Sequence, residues 1–306
     1  MPIAFVTCVE AGPLEEQAIL FAASLRRWGG RHANARILCL EPRGPSGLRD
    51  ATVAALDELQ VEHRAERLNV EFESYPIANK MFAAVWAEET LAEDVVAVCD
   101  TDTFFVNEPV KLELARGAAA RPVGQKKRGS TGPGDSNDPY WERMYELCGV
   151  EERPWVETTR AGTRLRAYFN SGLVAVRREE RLLAQWLDDF RTLMSAEHFP
   201  ADGKRNMDQL ALAVTLARIW PRVEVLDAPY NYMLRRRPRM PEPDRSLGLE
   251  DLVQVHYRKW LHVPGFVDEL EPPIPDGERL RWLQEHLPLR PPGAPPPRAA
   301  GSQPSS

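Results

Sequence analysis

Two carboxylates one residue apart, Asp100 and Asp102, close the apolar run Val95-Val96-Ala97-Val98-Cys99. A continuous β-branched run of this length reads as a buried strand of a parallel sheet, and open α/β sheets bind ligands at the carboxyl ends of their strands. Acidic groups placed there repel each other and are costly unless a cation neutralises them. Asp-Thr-Asp therefore points to a divalent metal and, behind it, an anionic substrate such as a diphosphate; a solvated strand-end turn is the plainer alternative. Four further groups could do chemistry. They are Asn170 before Ser171-Gly172, the pair Asp208-Gln209 at a helix start, Tyr230-Asn231-Tyr232 after a strand, and His256 at the end of another. Lys80 opens a helix, where a cation is unfavourable to the helix dipole and needs an anionic partner.

These residues need a frame. Residues 3–8 read as a first strand, and Leu14, Ala18, Phe21, Leu25 and Trp28 then recur at helical spacing before Gly29-Gly30 ends the helix. Residues 35–40 give a second strand, 48–59 a helix, 61–64 a short strand and 77–90 a helix that leads to the strand at 95–99. Strand–helix alternation of this kind builds a mostly parallel sheet with helices on both faces. Residues 117–127 hold one more strand, and 165–176 read as strand, tight turn at Asn170-Ser171-Gly172, strand. Amphipathic helices follow at 181–197, 207–219 and 276–287, with short strands at 223–226 and 252–255. The fold class is thus α/β, a single Rossmann-like domain over 1–287. Its polar stretch near 126–164 is expected to be a mobile loop. A Pro-, Ala- and Ser-rich tail, 288–306, is expected to be disordered.

At 306 residues the chain can bury a full core, and a net charge of -6 argues against general nucleic-acid binding. No apolar run approaches the ~20 residues of a membrane span, and the N-terminus lacks a basic leader. Cys8, Cys39, Cys99 and Cys148 are far apart with no metal spacing, which suits reduced thiols in a cytoplasmic protein.

The order of Asp100-Thr101-Asp102, Asn170-Ser171-Gly172, Asp208-Gln209, Tyr230-Asn231-Tyr232 and His256, behind a strand–helix start, resembles the glycosyltransferases of the GT-A fold. The group it is most similar to is the retaining family 8, which includes glycogenin and bacterial lipooligosaccharide galactosyltransferases. The resemblance covers about residues 1–265 and implies a nucleotide-binding half, 1–115, and an acceptor-binding half, 116–287. It implies a nucleotide-diphospho-sugar transferase whose Asp-x-Asp motif binds Mn²⁺ (or Mg²⁺) on the two phosphates of a UDP-sugar. By this likeness Asp100, Asp102 and His256 are metal ligands, while Thr7, Lys80, Asp100, Thr101 and Lys259 border the nucleotide and its phosphates. Asn170, Asp208 and Gln209 surround the transferred sugar. The family has a glycine and then a lysine some way after the histidine; here the run is His256-Tyr257-Arg258-Lys259, so Lys259 or Arg258 takes that place. An amide at 209 cannot be the nucleophile of a double displacement, so retention would come from front-face attack. The acceptor is expected to be a carbohydrate, a lipid-linked sugar or a small molecule.

Three other readings stay open. Asp-x-Asp also serves metal-dependent phosphatases, though Phe104 stands where their motif has Thr or Val. A sugar nucleotidyltransferase needs a Gly-rich basic loop after its first strand, and Cys8-Val9-Glu10-Ala11-Gly12 lacks one. A non-catalytic sugar-nucleotide-binding protein with a decayed site is the third. The basic runs 126–128 and 235–237 read as solvated surface or as a hold on an anionic acceptor, and the aromatics Trp155, Tyr230, Tyr232 and Trp260 as core or as stacking platforms.

Overall fold

A computed structural model describes residues 1–290. The first half alternates as the apolar runs require: β1 (Ile3–Cys8), α1 (Pro13–Trp28), β2 (Arg36–Glu41), α2 (Asp50–Glu58), β3 (Val61–Ala65), α3 (Asn79–Thr90), β4 (Val95–Cys99). Then come β5 (Thr103–Phe105), β6 (Ala118–Pro122), α4 (Asp138–Leu147), β7 (Trp155–Glu157), β8 (Arg164–Arg166) and β9 (Phe169–Arg177). The last part carries α5 (Leu182–Ser195), α6 (Met207–Ala217), β10 (Val223–Val225), β11 (Tyr232–Met233), β12 (Gln254–His256) and α7 (Glu278–Glu285).

Seven strands form one sheet in the order β10-β6-β9-β4-β1-β2-β3. All its pairings are parallel except those of β9, which runs against β4 and β6. Strand order reverses between β1 and β4, so a crevice opens beyond their carboxyl ends, where ligands of open α/β sheets bind. One face buries Phe5, Phe21, Leu25 and Ile37 with α1; the other buries Met81, Trp141, Trp186 and Leu210 with α3 to α6. A third cluster, around Phe104, Tyr232, Tyr257 and Leu283, packs the small β11-β12-β5 sheet against the C-terminal segments. Among the described residues no helix is long and apolar enough to cross a membrane.

Three expectations need correction. Asn170-Ser171-Gly172 is not a hairpin turn but part of the continuous strand β9. The strand is nevertheless distorted there: Ala120 of β6 pairs with Val174 but Arg121 pairs with Asn170, so Ser171, Gly172 and Leu173 bulge out of that ladder. The segment 126–164, expected as one loop, contains α4 and the hairpin β7-β8. Its Gly-rich start is stitched by Asp135, which accepts from Lys126 at 2.7 Å and from the Asn137 and Thr131 N–H groups at 2.9 Å. Burial opposes the charge of Asp135, but these donors hold its carboxyl well below the usual range. Finally, the ordered chain runs past 288, since Leu289 is buried and its N–H bonds Leu261 O at 2.9 Å. The rest of the expected tail lies outside the described residues.

Candidate active site

The crevice places Asp100 and Asp102 just past β4, with each backbone tied to a different sheet. The Asp100 N–H donates to Gly172 O of β9 at 3.0 Å, which extends the large sheet by one rung. The Asp102 carbonyl accepts from Tyr257 N–H at 3.0 Å, and β5 pairs antiparallel with β12 so that Thr103 faces His256. His256 is thereby carried across the fold to the acidic pair. Its Nε2 lies 3.2 Å from Asp102 Oδ1 and 4.0 Å from Asp100 Oδ2, and one donor atom from each of the three residues lies within 4.8 Å of the others.

The imidazole is oriented from behind. His256 Nδ1 and Asn231 Oδ1 are 2.9 Å apart, and Asn231 Nδ2 donates to Asn170 Oδ1 at 2.8 Å. Asn170 Oδ1 also accepts from Gly172 N–H at 2.9 Å. With the Asn231 oxygen facing the ring, Nδ1 must carry the hydrogen, which leaves the Nε2 lone pair aimed at the carboxylates. Asn231 is itself held in a left-handed conformation (φ 48) by Arg121, whose Nη1 donates to its carbonyl at 3.0 Å. Three electron-pair donors that converge without a cation would repel one another, so this donor set fits a divalent ion; mixed carboxylate and imidazole ligation suits Mn²⁺ better than Ca²⁺. Within the protein, protons and ammonium do the balancing. Burial works against a charge on His256, but Asp102 and then Asp100 raise it above its ordinary value. Asp102 is lowered, against burial, by His256 and Lys80; Asp100 is raised by burial, with Lys80 opposing and Asp102 adding to the rise.

Lys80 finds the anionic partners that a cation at a helix start needs. Its Nζ contacts Asp100 Oδ1, lies 3.1 Å from Ser171 Oγ and 3.4 Å from Asp208 Oδ2. Burial opposes its charge, while Asp100 and then Asp208 hold it above the ordinary lysine value. Ser171 Oγ donates to Asp208 Oδ2 at 2.5 Å, and Trp186 Nε1 bonds the Asp208 carbonyl at 2.8 Å. Asp208 Oδ1 is buried with no hydrogen-bond partner, an acceptor held in reserve.

Beside this cluster lies a cleft of about 1020 Å³, lined by Asn170 and Gln209 among others. Thus Lys80, Asp100, Asp102, Asn170, Asp208 and His256 are brought together, and Gln209 lies on the adjoining cleft. Thr7 and Thr101 are not open to a ligand in the same way: both are buried, their hydroxyls 3.1 Å apart, and Thr101 also donates to Cys8 O at 2.5 Å. They lock the end of β1 to the acidic loop. Lys259 is exposed with no contact to the cluster, whereas Arg258 (φ 61) lines the cleft and its charge helps lower Asp102. Tyr230 and Tyr232 are core residues, and Trp155 and Trp260 lie under arginines at 4.8–4.9 and 3.9 Å. Sequence reasoning missed Asn231 and Ser171 as partners of the site; the only signal was their place inside short motifs already singled out.

Asn231→Gly tests the orienting bond, because glycine accepts the left-handed backbone and removes only the side chain. We expect Mn²⁺ affinity, read by electron paramagnetic resonance titration, to fall by about 10–100-fold. Unchanged affinity would mean the ring is held by its own packing.

Residues 5–219 match the sequence profile of the Rhodobacterales glycosyltransferase domain. No curated protein matches the sequence. Among solved structures, an active-site mutant of LgtC in which glutamine is replaced by glutamate is similar with a TM-score of 0.53 at 14% identity, over 94% of this chain and 97% of that one. The bifunctional glycosyltransferase WbbM is similar with a TM-score of 0.51 at 12% identity, over 84% of this chain. This chain spans only 46% of the length of WbbM. At such identities the likeness is one of fold, and that fold is GT-A.

Proposed function

Because the chain belongs to the Rhodobacterales glycosyltransferase domain family, and is a glycosyltransferase by that membership, we propose a metal-dependent enzyme that moves a sugar from a UDP-sugar to an acceptor hydroxyl with retention. The convergence of Asp100, Asp102 and His256 Nε2 at the strand-order reversal carries this reading. These three would hold Mn²⁺ or Mg²⁺, which when bound supplies Lewis-acid stabilisation of charge on a leaving diphosphate. On this reading residues 1–115 form the nucleotide half and 116–287 the acceptor half.

The protein's own groups divide the remaining work. Lys80 Nζ offers donors between the acidic pair and Asp208, and Arg258 is better placed than Lys259 to meet a phosphate. The unpartnered Asp208 Oδ1 can accept from a sugar hydroxyl, and Asn170 and Gln209 line the path beside it. The amide of Gln209 is no nucleophile, and Asp208 has Oδ2 committed to Ser171 and Lys80. Among the described residues lining the cleft, the one carboxylate is Asp202, paired with Arg128 at 2.6 Å. This supports front-face attack: the acceptor oxygen bonds the anomeric carbon on the side from which the diphosphate leaves, and its proton passes to the departing phosphate oxygen.

A panel of nucleotide-sugars tests this by nucleoside-diphosphate release with Mn²⁺. We expect release from at least one UDP-sugar, abolished by EDTA and restored by Mn²⁺, and a product with the anomeric configuration of the donor by proton NMR. Binding without turnover for every donor would favour the non-catalytic alternative, and phosphate release from a simple monoester would favour a phosphatase. A second variant probes the crowding behind the ligands. A Cβ on Gly172 would meet His256 Nδ1 at 2.6 Å and Asn170 Oδ1 at 2.9 Å. Gly172→Ala is therefore expected to cut turnover by at least roughly tenfold, since small displacements of catalytic groups are costly. Turnover within twofold of the parent would show that the ring and amide can retreat.

A further inference from the structure

The cleft beside the candidate active site is strongly one-signed. Lys127 and Arg128 reach it from the loop after β6, Arg160 from the β7-β8 hairpin, Arg205 from before α6, Arg236 from after β11 and Arg258 from after β12. Five separate parts of the chain thus send cations to one cavity, and Asp202, on Arg128, is the acid that faces them. Lys127, Arg160, Arg205, Arg236 and Arg258 have no ion-pair partner among the described residues. The charges are close enough to act on one another. Burial and then Arg236, Arg258 and Arg160 pull Lys127 below its ordinary value, and burial and then Arg236 do the same to Arg160.

The neighbouring run 235–237 splits, with Arg235 stacked on Trp260 and Arg237 buried on the carbonyls of Pro272 and Pro273, so that Arg236 is the member turned to the cavity. A chain of net charge -6 has acidic groups to spare, yet they are not used here. The donor does not account for the excess. A nucleoside-diphosphate sugar brings one charge on each phosphate. Setting Arg258 aside for those phosphates still leaves five cations against one carboxylate.

We propose that this cleft receives an acceptor bearing several negative charges, a glycan carrying carboxylate or phosphate groups, an inference that rests on the glycosyltransferase reading. Planar guanidinium groups from different segments fork onto such oxyanions, and a low-dielectric cavity of one sign draws them in from solution. Gln209 and Asn170 on the same wall would place the acceptor next to the transferred sugar.

Titration calorimetry on the whole chain with Mn²⁺ and UDP tests this with three probes: maltotriose, trigalacturonate and glucose 1,6-bisphosphate. At least one anionic probe is expected to bind about tenfold or more tightly than maltotriose, and to weaken as salt rises from about 50 to about 300 mM. Whichever anion binds better identifies carboxylate or phosphate as the recognised group. The double variant Arg160→Gln/Arg236→Gln is expected to weaken that probe by about tenfold or more while UDP binds as before. The inference is overturned if maltotriose binds as well as both anions, if the anions bind only by displacing UDP, or if the double variant binds them unchanged. Failure of UDP to bind with Mn²⁺ would strike the donor reading alone, and the three sugar titrations are then read without nucleotide.

Discussion

Asp102→Asn is expected to lower sugar transfer by about a hundredfold to a thousandfold while the protein stays folded. Asparagine keeps the volume of Asp102 and the carbonyl that accepts from Tyr257, so β5 and β12 remain paired. What is lost is a charge 3.2 Å from His256 Nε2 and one of three converging donors. Stability should change by no more than about 1–2 kcal/mol, because the lost pairing with His256 is offset by relief of repulsion with Asp100. Turnover with the donor found in the panel, at saturating Mn²⁺, and the thermal midpoint are measured together. Activity within threefold of the parent would remove Asp102 from the machinery, and a collapsed fold would make it structural.

Lys80→Met has the opposite signature, a large stability loss. Methionine preserves the packing of the stem but leaves Asp100 and the 1%-exposed Asp208 facing each other without their ammonium. Breaking a buried pair by removing one partner costs about 3–5 kcal/mol. At about 2–4 °C per kcal/mol for a chain of this size, the midpoint should fall by roughly 6–20 °C. The loss is also pH-dependent. Burial already raises the Asp100 carboxyl and Lys80 opposes that rise, so with the lysine gone Asp100 is raised further above its unfolded value of about 3.9 and takes up a proton on folding. Its penalty is then largest at neutral pH and fades as pH falls through the raised value. The gap between variant and parent should narrow from pH 8 to pH 5 in thermal scans. A constant gap would assign the effect to packing.

Much of this was readable in the chain. The β1 to β4 alternation was clear because parallel strands buried on both faces are continuous apolar runs, as in Val95–Cys99. The acidic pair stood out because nothing but a ligand or a turn accounts for carboxylates at such a place. Other parts were hidden for physical reasons. Asn170-Ser171-Gly172 has the composition of a turn; Asn170 pairs with Arg121 of β6 and the Gly172 carbonyl accepts from Asp100 N–H, so the strand runs on through a bulge that no local pattern announces. The helix α4 begins right behind a Gly-, Asp- and Pro-rich stretch that dominates a local reading, although Trp141, Met144 and Tyr145 recur at helical spacing. Asn231 could not be recognised as the partner of His256, since its role depends on a left-handed backbone set by Arg121 from another strand. Likewise the basic runs look like surface until the fold separates Arg236 from its neighbours.

The pairing of β5 with β12 sets an order of events in time. Asp100 and Asp102 leave the ribosome well before His256, which faces Thr103 across that pairing. At about 5–20 residues per second, on the order of ten seconds of synthesis separate the carboxylates from their histidine. Lys80 precedes them both, so during that interval the ammonium is the cation the acidic pair already has. On the proposed metal reading the three donors meet only as β12 docks on β5, so a chain cut short of β12 lacks the histidine ligand.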